Sequence, residues 1–299
     1  MFPFYTLDDL HSDAPVFNGR RARLAVIGNP IGHSRSPQMQ QAALDAAGIG
    51  AAYIRLLVEK GGLPRTISRL RELGFLGANV TVPFKKEAAA LANQRDALAT
   101  LSASANTLRF TPEGIEAFNT DGPGFCRALE ESFGTRPCGQ RIVLLGAGGG
   151  AGAALAGTCA LDGCARIVLV NRTVDRLPPL AETLIQAGLP ADRIACLASG
   201  DEWQVIRAVR DADILVQATS LGLHAGDPLP LPAEALHEGL KVYDLVTHET
   251  PLQREARRHG IAVADGSLML LYQGAEAFDR WFPGQHADVA TMKRALEAS

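Results

Sequence analysis

Long hydrophobic runs, basic stripes and paired cysteines are all missing from this 299-residue chain, and each absence removes a class of function. No stretch approaches the ~20 apolar residues of a membrane helix. The leading Met1-Phe2-Pro3-Phe4-Tyr5-Thr6-Leu7-Asp8-Asp9 has neither the basic flank nor the apolar run of a signal peptide or anchor. A cytoplasmic protein without a membrane partner is expected. The five cysteines, Cys126, Cys138, Cys159, Cys164 and Cys196, are odd in number and form no Cys-x-x-Cys pair or Cys/His cluster. They read as small thiols in a reducing compartment, with no disulfide framework and no metal. Lysines and arginines are scattered, the formal net charge is -3, and no basic stripe interleaves with aromatics, so no nucleic-acid partner is expected.

What is present is alternation. Strand-like runs over 23–27, 52–58 and 77–82 alternate with helical runs over 37–47 and 63–73, a pattern of βαβ units with a mostly parallel sheet. A turn cluster, Asn119-Thr120-Asp121-Gly122-Pro123-Gly124, precedes a helix over 125–132 and a loop over 134–139. A second series of strands follows over 141–145, 166–170, 194–197, 214–217, 242–245 and 261–264. The length suits two domains, predicted as 1–121 plus 266–299, and 122–265. The last helices, over 268–282 and 289–298, have no strand of their own and are expected to return to the first domain.

The strand Ile142-Val143-Leu144-Leu145 runs into Gly146-Ala147-Gly148-Gly149-Gly150-Ala151 and then a helix. This is the G-x-G-x-x-A dinucleotide fingerprint in its required strand-turn-helix setting. Gly146 permits the tight turn, Gly148 lets backbone approach a pyrophosphate, Ala151 allows close helix packing, and the helix start meets the phosphate charge. The next strand ends in Asn171-Arg172-Thr173, with Arg176 near. An acidic residue at that tip would select NAD; Arg172 instead offers a planar cationic donor for a 2′-phosphate, so NADP is favoured over NAD. Asp175 dissents, but its place in the following helix turn gives it an ordinary capping reason.

One segment breaks a local rule. Gly77-Ala78-Asn79-Val80-Thr81-Val82 is a strand, Pro83 ends its pairing, and Lys85-Lys86-Glu87-Ala88-Ala89-Ala90-Leu91 begins a helix with two lysines where acids are preferred. Repulsion from the helix end would favour the neutral amine of Lys85, the form that can accept a proton. A solvated lysine pair is the plainer alternative. Ser36-Pro37 reads as an N-cap followed by proline at the first helical position, a helix start suited to a carboxylate or to capping alone. Asp121 taken singly reads as a turn or cap aspartate, and His33 as structural.

Together these segments resemble the shikimate dehydrogenase family over about 23–282. The motifs are Gly28-Asn29-Pro30-Ile31-Gly32-His33-Ser34-Arg35-Ser36-Pro37, the strand-lysine segment, Ala105-Asn106-Thr107, Asn119-Thr120-Asp121-Gly122, the glycine loop with Asn171-Arg172-Thr173, Ala218-Thr219-Ser220-Leu221-Gly222, and Met269-Leu270 with Gln273. The resemblance implies an N-terminal α/β substrate domain, a Rossmann-type NADP domain, and reversible NADPH-dependent reduction of 3-dehydroshikimate to shikimate in aromatic amino acid biosynthesis, by a monomer or homodimer. It implies that Lys85 and Asp121 are the catalytic pair and that Ser34 and Ser36 hold the substrate carboxylate. Asn79, Thr81, Asn106 and Gln273 complete the implied substrate set, while Thr219, Leu245, Gly266 and Met269 lie by the cofactor. Two departures stand out: Thr247 occupies a place the family usually gives to a substrate-contacting tyrosine, and Gln217 a place usually given to asparagine. The first twenty or so residues have no counterpart in the family's minimal form and read as a surface arm. Thr247 keeps quinate or aminoshikimate open as substrates. A nonenzymatic NADP-sensing protein and a folate-type NADP dehydrogenase are the readings from other classes.

Overall fold

The computed structural model describes residues 4–10, 13–224 and 226–298. The chain divides into two compact units, residues 1–120 with 271–299, and residues 121–270. The second junction falls inside a helix rather than ahead of it, so the cut is not marked by any loop composition.

The first unit holds β1 (Phe4–Tyr5), β2 (Val16–Phe17), β3 (Arg20–Gly28), β4 (Ala52–Leu57), β5 (Gly77–Val80), β6 (Gln94–Arg95), β7 (Thr107–Thr111) and β8 (Gly114–Phe118). Its sheet runs β1-β4-β3-β5-β7-β8-β6, with β2 on β3. β1, β4, β3 and β5 are parallel, joined by α1 (Ser36–Ala46) and α2 (Leu63–Glu72). β7 and β8 form an antiparallel hairpin that extends the sheet from β5. Short helices α3 (Lys85–Leu91) and α4 (Ala97–Leu101) fill the connection. The leading segment departs from the surface-arm expectation: β1 adds a parallel strand to β4 and β2 an antiparallel one to β3. Residues 1–3, 11 and 12 of that arm lie outside the described residues.

The second unit opens with α5 (Asp121–Phe133). The turn predicted over 119–124 is therefore helical from Asp121 onward. Pro123 stands in the first turn, where its missing N–H has no intrahelical partner to lose. Then follow β9 (Arg141–Leu145), α6 (Gly150–Leu161), β10 (Arg166–Asn171), α7 (Leu177–Gln186), β11 (Ile194–Ala198), α8 (Glu202–Arg210), β12 (Ile214–Gln217), β13 (Lys241–Asp244), α9 (Pro251–Arg258) and β14 (Ala262–Ala264). The six strands are all parallel in the order β11-β10-β9-β12-β13-β14. This is the doubly wound Rossmann-type order, whose ligands sit beyond the strand ends at the reversal beside the first strand.

α10 (Ser267–Trp281) runs from the second unit into the first, and α11 (Val289–Glu297) completes the chain. Within the first unit, Gln40 Nε2 donates to Gly274 O at 2.8 Å and Trp281 Nε1 to Leu108 O at 2.9 Å. The Arg35 guanidinium donates to the Leu296 carbonyl. The chain's end thus returns to the first sheet. Among the described residues, no helix is long and apolar enough to cross a membrane.

Candidate active site

In the first unit, the segments that leave the carboxyl ends of β3 and β5 carry Ser34, Ser36, Thr81 and Lys85. Two loops approach there. Asn29 N donates to Val82 O at 3.0 Å and Thr81 N to Ile27 O at 2.8 Å. A Cβ on Gly28 would stand 2.6 Å from Thr81 Cγ2, so only glycine admits this approach. Ser34 and Ser36 lie at the start of α1, and the local geometry differs from the sequence expectation. Arg35 holds the cap position, Ser36 is the first helical residue, and Pro37 follows it. Ser34 Oγ accepts from the Ser36 backbone N–H at 3.3 Å. The Ser34 hydroxyl, not that of Ser36, therefore caps the turn.

Arg55 is a residue that the sequence reading missed. It is 6% exposed and donates from Nε and Nη2 to the Ser34 carbonyl, at 3.1 and 2.5 Å. Burial pushes this guanidinium below its ordinary value. Its signal was present: a single charge within the apolar strand Ala52-Tyr53-Ile54-Arg55-Leu56-Leu57.

Asn79 is buried among partners. Its Oδ1 accepts from the Tyr53 hydroxyl at 2.7 Å, and its amide hydrogens go to Asn106 O at 3.2 Å and Thr107 Oγ1 at 3.0 Å. Burial holds Tyr53 well above its ordinary range, which keeps it a donor. With both hydrogens engaged, Asn79 braces its neighbours. Asn106 Oδ1 in turn accepts from Thr120 N at 2.8 Å and Thr120 Oγ1 at 3.1 Å, and its Nδ2 donates to Gln273 Oε1 at 3.4 Å. β5 is thus tied to Asn106 through its main-chain carbonyl, and the segment after β8 and α10 through its side-chain amide. Lys85 begins α3, half-buried, and its carbonyl accepts from Ala105 N at 2.9 Å, beside Asn106. Lys86 is exposed, and Glu87 supplies the acid of the first turn. Asp121 is 7% exposed and opens α5 directly after Thr120.

In the second unit the glycine loop follows β9. Gly146 has φ of +80°, and a Cβ there would lie 2.8 Å from the Ala218 backbone. The close helix packing expected of Ala151 falls instead on Gly152, whose Cβ would lie 2.3 Å from Gly146 O. Gly149 caps α6, and it and Gly150 are exposed, leaving the helix start open to an anion. A cavity of about 730 Å³ extends from this loop. Gly146, Gly149, Asn171, Arg172, Thr173, Arg176 and Thr219 line it, together with Ser199, Glu202 and the wall Pro228-Leu229-Pro230-Leu231-Pro232. Ala147 and Gly148 belong to the loop and Gly150 and Ala151 to the first turn of α6, and none of the four lines the cavity. A Cβ on Gly148 would meet Asn171 Nδ2 at 2.7 Å. Asp175 does not line the cavity, whereas two arginines do.

Gln217 braces the adjacent loop. Its Oε1 accepts from Thr219 N at 2.9 Å and its Nε2 donates to Leu221 O at 2.8 Å. Leu245, Thr247, Gly266 and Met269 do not line this cavity; they lie after β13 and around the start of α10, where a Cβ on Gly266 would lie 2.1 Å from Leu245 O. Gly266 N donates to Val246 O at 3.3 Å, Met269 is buried, and Thr247 is exposed. Nearby, Asp244 accepts from Thr250 Oγ1 at 2.6 Å and Val246 N at 3.1 Å. Burial raises its carboxyl above the usual range. The cysteines are free thiols; burial pushes Cys126 to about 12 and Cys164 to about 11, too high for reactive thiolates at neutral pH.

Comparison with known proteins agrees across both units. The shikimate dehydrogenase substrate binding domain profile matches residues 26–108, and the shikimate 5'-dehydrogenase C-terminal domain profile matches 266–297. A relative named shikimate dehydrogenase (NADP(+)), from Rubrobacter xylanophilus, is 41% identical, covering 94% of this chain and 98% of the relative. The crystal structure of shikimate 5-dehydrogenase from Thermus thermophilus in complex with NADP(H) and shikimate aligns with a TM-score of 0.80 and 33% identity, over 93% of this chain and 99% of the other. Quinate dehydrogenase from Corynebacterium glutamicum in complex with NAD aligns with a TM-score of 0.82 and 27% identity, over 92% and 98%. The chain belongs to the shikimate dehydrogenase family.

Proposed function

We propose that this chain is an NADP-dependent shikimate dehydrogenase, reversibly reducing 3-dehydroshikimate to shikimate in the chorismate route to aromatic amino acids. The observation that carries this reading is the cavity beside the glycine loop, which presents Arg172 and Arg176 but not Asp175. That donor set fits the extra phosphate of NADP, and the exposed start of α6 at Gly149 and Gly150 fits a pyrophosphate. When bound, the nicotinamide supplies the hydride.

The chain's own residues do the rest. Lys85 is the proton-transfer group at the reacting hydroxyl, and Asp121 is the second catalytic residue. Ser34 and Ser36 take the substrate carboxylate at the start of α1. Thr81, Asn106 and Gln273 take ring hydroxyls, with Asn79 holding Asn106 in place. Thr247 puts a short side chain where the family resemblance implies a tyrosine, a change that alters substrate affinity or range. The setting is the cytoplasm, a reading supported by the five free cysteines, and the working unit is a monomer or homodimer.

The test follows NADPH formation by the purified chain with shikimate, quinate and aminoshikimate, each with NADP and with NAD. Turnover with shikimate and NADP is expected to exceed every other pairing. Quinate and NAD as the best pair would move the chain to the quinate branch. No turnover with any pair would leave an NADP-sensing protein.

A further inference from the structure

Between β3 and α1 the chain runs through residues 29–35, with Ser34 near the close of that connection and Ser36 opening the helix. The neighbouring strand β4 fastens the connection at both ends. At its start Asn29 Nδ2 donates to Val58 O at 3.2 Å, just past β4. Toward its close the Arg55 guanidinium, from within β4, gives the Nε and Nη2 hydrogens to the Ser34 carbonyl. Arg55 pairs in register with Val26, two residues short of Gly28, where the connection begins. By strand alternation it shares a face of β4 with Tyr53. Tyr53 is fully buried and Arg55 nearly so.

A neutral amide could satisfy one carbonyl at a far smaller desolvation cost than a guanidinium. What the arginine adds is a full positive charge, placed at the peptide that links Ser34 to Arg35. The start of α1 is otherwise a poor anion site. The Ser36 N–H is given to Ser34 Oγ, and Pro37 has no N–H to offer. Two hydroxyls supply donors but no charge. Other cations of the segment point elsewhere: the Arg35 guanidinium donates to the Leu296 carbonyl, and His33 is exposed.

We propose that Arg55 is a positioning residue for the substrate carboxylate. Through the Ser34 carbonyl it fixes the turn that presents the two hydroxyls, and its charge behind that turn makes the site select an anion over a neutral carboxyl group. Burial keeps the charge from being screened as a surface arginine would be. This role rests on the proposed function, in which Ser34 and Ser36 take the carboxylate.

Methyl shikimate, whose carboxyl group is a neutral ester, separates this role from a purely structural one. kcat/KM is measured with NADP for the acid and for the ester, on the wild-type chain, Arg55→Gln and Arg55→Lys. The wild type should prefer the acid. Arg55→Gln should cut that preference by about tenfold to a hundredfold, chiefly through the KM for shikimate, with the KM for NADP unchanged. Arg55→Lys, which keeps the charge, should retain most of the preference. Damage to packing alone would lower acid and ester together. An unchanged acid-to-ester ratio in Arg55→Gln therefore overturns the proposal, as does a ratio in Arg55→Lys that falls as far as in Arg55→Gln. Should the glutamine variant fail to fold, Arg55→Met, neutral and apolar in an apolar strand, takes its place with the same expectation. A wild type inactive with shikimate and NADP would sink the proposed function instead. The two compounds are then compared by thermal-shift titration of the same chains, and equal shifts by acid and ester in the wild type overturn the role of Arg55.

Discussion

The polar residues of the first unit and those of the second are held in opposite ways. Around β5 and β7, Tyr53, Asn79, Asn106, Thr107 and Thr120 lock one another in a buried network. Around β9 and β10, the glycine loop is placed by backbone shape, and Arg172 and Arg176 stand exposed at the rim of a large cavity. A small rigid ring with several hydroxyls is recognised by donors fixed in advance, because a misplaced buried group costs more than it gains. A long charged cofactor needs room, free amides and counter-charge more than it needs exact side-chain placement. The difference teaches that damage should differ in kind between the two regions.

Lys85→Ala makes the sharpest break. Turnover should fall by about 10²- to 10⁴-fold, the usual scale of acid-base catalysis, with NADPH affinity by fluorescence titration nearly unchanged; a modest loss would remove the lysine from the chemistry. Arg172→Ala should leave stability alone and weaken NADP about tenfold to a hundredfold while sparing NAD, as expected for one charge-assisted contact. The ratio of the two KM values reads this directly. Asn79→Ala should show the reverse pattern, a stability loss of ~1–3 kcal/mol in denaturant melts, because the buried Tyr53 hydroxyl loses its acceptor, while the Asn106 carbonyl keeps Val80 N and Thr107 Oγ1 keeps Asn106 Oδ1. A raised KM with unchanged stability would instead return Asn79 to direct substrate contact.

The smallest effect concerns pH. Burial raises the Asp244 carboxyl in the folded chain, so its contribution to stability is fully present below the unfolded value, near pH 4, and is lost as pH rises through the folded one. Asp244→Asn should flatten that part of the melting-temperature profile. An unchanged slope would show that Asp244 does not set it.

Much of this was legible in the sequence where the signal was local. The strand-glycine-helix run, the arginine at the tip of β10 and the βαβ alternation each depend on neighbours within a few residues. What escaped depended on distant pairing. β1 and β2 are too short to show alternation and form only because β4 and β3 offer edges. Gly152 looked like an ordinary helix residue until Gly146 O was placed against it. Asn79 carried the right chemistry for a ligand, but its hydrogens are taken by atoms 27 and 28 residues away. Gln217 read only as a departure, and its amide proves to span Thr219 and Leu221.

The contact between Gly28 and Thr81 bears on how such a sequence can change over time. Even alanine at 28 would push against Thr81 Cγ2 and Ile31 Cδ1, so a residue with no side chain of its own is tied to one assigned to substrate. Serine at 81 would remove the nearer methyl and keep the hydroxyl, leaving alanine at 28 only the flexible Ile31 Cδ1 to displace, so that step must come first. The order of substitutions, and not merely their sum, then decides which descendants of this chain remain functional.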